Sequence, residues 1–390
     1  MVESFILAGA RTGNGKFLGG LSSLTAPQLG ALVTKEVLVR CGANPHEVDE
    51  VIFGEVLQAG VGQNPARQAA LGAGLPGSIT AWTVNQVCGS GLKAAMLADL
   101  SIRAGESSLV IAGGMESMSR APFLLENTRT GWKYGNQEAA DAMIRDGLWC
   151  AFNHCHMGAL ADETGKERGI SRADQDAFAI RSHQRAAQAW DKGLFAQEVI
   201  AVSPGGKYPV MQSDENIRRD SNKDALAKLS STFLKGGSVT AGNASPLSDG
   251  AAAVVVGSKA AADKLGVKPL GRIVAHATAG TAPKDIFLAP IYAVRKVLEK
   301  ARLSISDIDL FELNEAFAAQ MLACSRELGL DEEKVNVHGG SIALGHPIGA
   351  SGARVLVTLL YAMESRKVRT GLASLCLGGG NAVAMILQRD

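Results

Sequence analysis

Short apolar runs alternate with alanine-rich segments along most of the chain. One strand is predicted at residues 108–112, a second begins within residues 47–60 (EVDEVIFGEVLQAG), and a third ends residues 250–258 (GAAAVVVGS). The segments between them, such as Leu92 to Ala98, favour helix. Strands that alternate with helices predict an α/β fold with a mostly parallel sheet.

The pattern changes between residues 119 and 243, where charged and turn-forming residues replace the alternation. An amphipathic helix is predicted there in SRADQDAFAIRSHQRAAQAWDKG, residues 171–193. The flanking parts are similar to each other, because each has a glycine-rich loop, a helix and then an apolar strand. We therefore predict a duplicated α/β unit, with residues 1–118 and 244–269 as one half and residues 270–390 as the other. Residues 119–243 would form an inserted α+β loop domain.

Composition narrows the class of protein. A chain of 390 residues is too long for one ordinary core, and its net charge of +1 gives no reason to expect nucleic acid as a partner. The sequence contains no run of eighteen apolar residues, so it predicts no membrane span. The six cysteines contain no C-x-x-C pair, so neither zinc nor disulfides are expected. We expect a cytoplasmic protein, and the question whether a transit peptide was removed stays open.

A thiol lies at the start of a predicted helix in VNQVCGSGLKA, residues 84–94. Cys88 would sit at a strand-to-helix elbow, where the helix dipole makes a thiol easier to ionise. A second glycine-rich elbow, GGSIALGHPIGASGAR, holds His346, which could act as the base that ionises the thiol. The alternatives are a buried structural cysteine and a histidine that is hydrogen-bonded in a loop.

Two further segments carry candidate residues. Cys376 ends the apolar strand of LASLCLGGGNA, and the glycines at 378–380 would let a backbone N–H approach a ligand closely. Asn314 in FELNEAFAAQ lies at a predicted strand-to-helix boundary. The alternatives are a buried cysteine before a hairpin and an asparagine that only caps a helix.

Four of these motifs together resemble the thiolase family: VCGSGLKA, NEAFA, GGSIALGHPIGASGAR and CLGGGNA, in this order along almost the whole chain. HMGALADETG and SVTAGNASPLSDGAAA are also similar to thiolase segments. The resemblance implies a layered α/β/α/β/α core made of two βαβαβαββ halves. It also implies an acyltransferase that condenses two acetyl-CoA molecules reversibly, or cleaves 3-ketoacyl-CoA, through an acyl-Cys88 intermediate.

The same resemblance implies a role for each motif. Cys88 would be the nucleophile, His346 would take its proton, and Cys376 would act as acid and base on the second acetyl-CoA. One oxyanion hole would use His346 and a water held by Asn314, and the other the backbone N–H groups of Cys88 and Gly378. The implied CoA-binding residues are Leu148, His156, Met157, Arg218, Ser245, Leu247, Ala316 and Phe317. CoA would be a substrate, no cofactor or metal is expected, and a homo-oligomer, dimer or tetramer, is expected.

The segment KDIFLAP, residues 284–290, departs from many short-chain members, which implies that Leu288 occupies the acyl end of the substrate tunnel. The preferred chain length therefore stays open, and a degradative 3-ketoacyl-CoA thiolase of broader range is the alternative within the class. A non-catalytic protein that binds acyl-CoA or lipid is the alternative of another class.

Overall fold

A computed structural model describes residues 2–206 and 208–389. The first part of the chain alternates strands and helices. Its strands are β1 (Ser4–Thr12), β2 (Gly15–Lys16), β3 (Glu50–Gly54), β4 (Thr80–Val84) and β5 (Leu109–Ser117). Its helices are α1 (Ala26–Cys41), α2 (Pro65–Gly72) and α3 (Ser90–Ala104). The strand predicted at residues 108–112 is confirmed, and it continues through Gly113 and Gly114.

The described residues in the middle of the chain form shorter strands, a π-helix and three α-helices. Its strands are β6 (Phe123–Leu125), β7 (Ala139–Asp141), β8 (Trp149–Cys150), β9 (Cys155–His156) and β10 (Val199–Ile200). A π-helix spans Met143–Leu148, and the α-helices are α4 (Met157–Glu167), α5 (Arg172–Asp191) and α6 (Lys223–Ala227). Helix α5 confirms the predicted amphipathic helix, and it begins at a capping box in which Ser171 and Asp174 bond each other's backbone N–H.

The last part of the chain repeats the first. Its strands are β11 (Ser248–Ser258), β12 (Gly271–Gly280), β13 (Leu310–Leu313), β14 (Thr370–Leu377) and β15 (Asn381–Gln388). Its helices are α7 (Lys259–Leu265), α8 (Ala289–Ala301), α9 (Ala318–Leu328), α10 (Ser341–Leu344) and α11 (Ile348–Ser365). In the residues that the structure describes, none of the helices is long and apolar enough to cross a membrane.

The main strands follow the order β13-β14-β15-β12-β1-β11-β5-β3-β4, so each half contributes a block of equivalent order. The blocks join where Phe5 and Ile6 of β1 pair with Arg272 and Gly271 of β12. The expectation of a mostly parallel sheet is wrong. Strand β11, which follows the middle segment, runs antiparallel to β1 and β5, and β15, which follows a hairpin, runs antiparallel to β14. Among the strands of the described residues, the parallel pairs are β3 with β4 and β5, β13 with β14, and the short β10 with β1.

The two halves differ at one strand. The equivalent of β4 in the second half is reduced to a single bridge between Phe311 and Val335. The next residue, Asn336, has a left-handed backbone with φ of 45°, which ends the extended conformation. Its side chain instead accepts from Leu313 N and donates to Leu313 O, both at 2.8 Å, in place of a further strand pair.

Helices α3 and α11 lie between the two sheet blocks and pack against each other, while α1 and α8 cover the outer faces. This arrangement confirms the predicted α/β/α/β/α layering. The central helices meet at glycines: a Cβ on Gly91 would lie 2.6 Å from the backbone N of Ala353, and one on Gly352 would overlap the backbone N of Leu92. Their N-terminal ends therefore lie side by side. The boundaries of the inserted segment stay a prediction.

Candidate active site

A cavity of about 440 Å³ opens where the two central helices begin, and the middle segment covers it. All of the predicted catalytic and CoA-binding residues line this cavity except Asn314, whose side chain contacts His346. The lining residues that were predicted are Cys88, Leu148, His156, Met157, Arg218, Ser245, Leu247, Ala316, Phe317, His346, Cys376 and Gly378. Residues more than two hundred positions apart in sequence, such as Cys88 and His346, therefore meet at one site.

Cys88 lies in the turn that leads into α3, as the glycine-rich motif predicted. Ser90 shapes that turn, because its Oγ accepts from Gln86 N at 2.9 Å and donates to Val87 O at 2.6 Å. The expectation of a readily ionised thiol is wrong for this structure. The sulfur keeps some surface toward the cavity but is surrounded by protein, and burial raises its pKa to about 12. The backbone N–H groups of Cys88 and Gly378 oppose that rise without cancelling it.

His346 is held in one tautomer by the helix that follows it. Its Nδ1 lies 2.6 Å from Ser351 Oγ, and that hydroxyl donates its own proton to Pro347 O at 2.8 Å. Ser351 must therefore accept from Nδ1–H, which leaves a lone pair on Nε2. Burial, and after it the positive charge of Arg354, lower the pKa of His346 to about 3. The imidazole is therefore a neutral base at physiological pH.

Asn314 is not a helix cap, because α9 begins at Ala318 after an extended Phe317. Its Nδ2 lies 3.5 Å from His346 Nε2, and its Oδ1 accepts from Ser341 Oγ at 2.6 Å. The guanidinium of Arg354 donates to Ser341 Oγ at 2.8 Å, so the hydroxyl proton is left for Asn314. This chain fixes the amide with its N–H₂ group toward the imidazole.

Sequence reasoning missed Ser341, Ser351 and Arg354, which support the site from behind. Arg354 is buried and pairs with Glu312 at 2.8 Å, which compensates its charge. Ser351 and Arg354 lie in α11, one and two turns after His346 in the motif GHPIGASGAR. Helical spacing in that motif was the signal that could have identified them.

Cys376 is buried near the end of β14, where the chain turns back through Gly378–Gly380 into β15. Its position confirms the predicted strand followed by a glycine turn. Burial, and after it the proximity of the Cys88 sulfur, raise the pKa of Cys376 well above its ordinary value. A Cβ on Gly89 would contact the Leu377 side chain and one on Gly378 the Val87 side chain, so the segments that carry the two thiols meet at the same part of the cavity.

Aromatic rings form one wall of the cavity. The His156 ring stacks on Phe233 with 4.5 Å between centroids, and its Nδ1 accepts from Gly158 N at the start of α4. Phe317 packs edge-on against Phe233 and against Phe287, at 6.2 and 5.2 Å. Burial lowers the pKa of His156, so this wall is uncharged at neutral pH.

The expectation for Leu288 is wrong. Leu288 packs into the core between α8 and α9, whereas Ile286 and Phe287 line the cavity. The segment is a tight 3-10 turn, Pro283–Leu288, in which a shift of one or two positions turns a side chain to another face. Ile286 and Phe287 share a hydrophobic cluster with Cys376, so they border the thiol end of the cavity.

The site combines two thiols, a neutral imidazole and backbone N–H donors in one largely apolar cavity. Such a set can form a thioester on one sulfur and move a proton with the other. In residues 2–206 and 208–389, no group of three or more His, Cys, Asp or Glu side chains is placed to hold a metal ion.

Comparisons with known proteins agree with this geometry. Residues 4–260 match the family model of the thiolase N-terminal domain, and residues 267–389 match that of the thiolase C-terminal domain. The acetyl-CoA acetyltransferases of Cupriavidus necator and Pseudomonas aeruginosa are 49% and 50% identical, each over 100% of both chains. The crystal structure of the Bacillus anthracis acetyl-CoA acetyltransferase superimposes with a TM-score of 0.97 at 42% identity, covering 100% of this chain and 99% of that one.

Proposed function

The chain belongs to the thiolase family, and from this premise we propose that it joins two acetyl-CoA molecules reversibly into acetoacetyl-CoA and CoA. Relatives that match it over the full length are named acetyl-CoA acetyltransferase. The observation that carries the proposal is the meeting of Cys88, His346 and Cys376 around one cavity, with the N–H of Gly378 at the Cys88 sulfur.

In the first half-reaction, Cys88 attacks the thioester carbonyl of acetyl-CoA while His346 Nε2 takes the thiol proton. Since both groups are neutral at rest, proton transfer accompanies attack rather than preceding it. The N–H groups of Cys88 and Gly378 bond the oxygen that gains charge. The CoA sulfur leaves with the proton of Cys376, so acetyl-Cys88 and a Cys376 thiolate remain.

In the second half-reaction, the Cys376 thiolate removes the α-proton of another acetyl-CoA. The high pKa of Cys376 makes its thiolate a strong base, which suits removal of a weakly acidic C–H proton. The enolate oxygen is stabilised by protonated His346 and by a water held by Asn314. The enolate carbon attacks acetyl-Cys88, and the released Cys88 recovers its proton from His346. Atoms balance, since two acetyl-CoA give acetoacetyl-CoA and CoA.

The remaining cavity residues would bind CoA. The apolar wall that contains His156, Phe233 and Phe317 suits the pantetheine chain, because the wall excludes water and the chain is uncharged. Arg218 would face the phosphates or the adenine. The residues we propose for substrate contact are Leu148, His156, Met157, Arg218, Ser245, Leu247, Ala316 and Phe317.

We propose a homo-oligomer in the cytoplasm that needs no cofactor and has no nucleic acid or membrane partner. Residues 119–243 would form the inserted domain that binds CoA. Residues 1–118 and 244–269 would form the N-terminal half, and residues 270–390 the C-terminal half.

Trapping of the acyl-enzyme tests the proposal. Protein incubated with radiolabelled acetyl-CoA and quenched in acid should carry label on Cys88, and Cys88→Ala should carry none. Cys41→Ser, which changes a buried thiol of α1, is the matched control and should label normally. An unlabelled wild-type protein would indicate a carrier. Thiolysis that rises from acetoacetyl-CoA to longer 3-ketoacyl-CoA substrates would instead favour the degradative class.

A further inference from the structure

Two cysteines outside the proposed chemistry face each other across a hairpin. Cys150 ends β8, Cys155 begins β9, and the two are direct partners in the antiparallel register. Directly opposed Cα atoms in such a pair lie about 4.5–5.5 Å apart, and a disulfide needs about 4.4–6.8 Å. Both residues are free thiols in this structure. The backbone is therefore already spaced for a bridge.

The turn between them keeps this register. It contains only residues 151–154, and His154 adopts a left-handed φ of 51° while its N–H donates to Cys150 O at 2.8 Å. Asn153 also holds the Cys150 thiol, through its Oδ1 at 3.2 Å and its backbone N at 3.4 Å. The hairpin is thus closed by its own bonds before any covalent link forms.

The two thiols differ in access, as a redox pair requires. Cys150 is buried, whereas Cys155 keeps part of its surface exposed. The exposed sulfur can meet an oxidant in solution, and the buried one can only react with its neighbour. Burial, and after it the nearby Cys150, raise the pKa of Cys155, so its oxidation should speed up toward alkaline pH.

We propose that Cys150 and Cys155 form a reversible disulfide when the protein meets a peroxide. The Cys155 thiolate attacks the O–O bond, giving a sulfenic acid and, after protonation, water. Cys150 then attacks the Cys155 sulfur, forming the S–S bond and releasing a second water. Two thiols lose two electrons in total, and one peroxide is reduced to two waters. A dithiol reverses the reaction by exchange.

The bridge acts on a segment next to the substrate cavity. Leu148 directly precedes β8, and His156 lies opposite Trp149 on β9. Because the Cα spacing already suits the bridge, we expect Leu148 and His156 to keep their positions. Oxidation should therefore slow local opening of the hairpin without abolishing catalysis, an expectation about turnover that rests on the proposed function.

Peptide mapping tests the bridge independently of any activity. Full-length Cys88→Ser protein, in which the partly accessible thiol of the active site cannot compete, is treated with hydrogen peroxide and alkylated without reduction. The peptide that contains residues 150 and 155 should be lighter by two hydrogen atoms and should resist alkylation until dithiothreitol is added. Cys150→Ser and Cys155→Ser should each lose this signal, while Cys41→Ser keeps it. Hydrogen exchange in residues 149–156 should slow on oxidation.

Three results would overturn the inference: both thiols stay open to alkylation, Cys155 proceeds to sulfinic acid with Cys150 still free, or the bridge joins other cysteines. In wild-type protein, a formed bridge with unlabelled Cys88 in the acetyl-CoA trapping assay would leave the inference standing and reject the proposed function.

Discussion

Replacing Ser351 with alanine isolates the effect of one hydroxyl on the His346 imidazole. In the native chain Ser351 Oγ accepts from His346 Nδ1–H at 2.6 Å, which leaves Nε2 free to receive the Cys88 proton. Alanine removes that acceptor and leaves a buried N–H without a partner. The ring then relieves the loss by carrying its proton on Nε2, where it can no longer act as a base.

The size of the effect follows from the lost bond. An unpaired buried donor costs about 1–3 kcal/mol, and tenfold in a constant corresponds to about 1.4 kcal/mol. We therefore expect kcat/KM for thiolysis of acetoacetyl-CoA to fall about 5- to 140-fold. KM should change little, because Ser351 is fully buried and is not part of the cavity lining.

Steady-state thiolysis and the rate of acid-stable labelling of Cys88 should fall in parallel in Ser351→Ala. Ser365→Ala is the matched control, because this hydroxyl lies on the same helix and donates to Ala362 O at 3.1 Å. Thermal melting separates a kinetic effect from loss of fold. A folded Ser351→Ala protein with the wild-type rate of labelling would refute the assignment of the tautomer.

Three further predictions follow from contacts described above. Because the Cys88 pKa is raised to about 12, its alkylation by iodoacetamide should rise about tenfold per pH unit, with no plateau below pH 9. Phe287→Ala should open the thiol end of the cavity and raise relative thiolysis of longer 3-ketoacyl-CoA by about fourfold per added methylene. Gly352→Ala should lower the free energy of unfolding by about 1–3 kcal/mol in urea titration, since its Cβ overlaps Leu92 N.

Each of these has a contrary outcome. A plateau of alkylation near neutral pH would mean that the thiolate is already formed at rest. An unchanged chain-length profile in Phe287→Ala would place the acyl end elsewhere. Gly77→Ala is the control for Gly352→Ala, because its Cβ would meet nothing within 4 Å. Equal destabilisation of the two variants would remove the close helix crossing as the cause.

The residues that could be predicted from the sequence lie in local motifs. Cys88, His346 and Cys376 each stand beside glycines that shape their own turn, so a short window was enough to identify them. Their shared cavity confirms that they meet. The roles assigned to them stay predictions until the labelling and kinetic experiments are done.

What the sequence did not predict depends on tertiary contacts. The helix dipole near Cys88 is a local property, whereas the burial that outweighs it comes from distant segments. The resemblance to the family placed Leu288 at the acyl end, but the phase of the 3-10 turn, which depends on the fold, puts Ile286 and Phe287 there instead. Asn314 resembled a helix cap, and its bond to Ser341 could not be seen without the fold.

The glycine contact between α3 and α11 holds the two repeats together at the active site, so catalysis depends on the interface between them. Cys88 precedes one helix and His346 precedes the other, so neither repeat holds a working set of groups by itself. A chain cut in the linker between α7 and β12 would give two inactive fragments. Activity would return only by complementation, when the fragments associate through the glycine contact between α3 and α11.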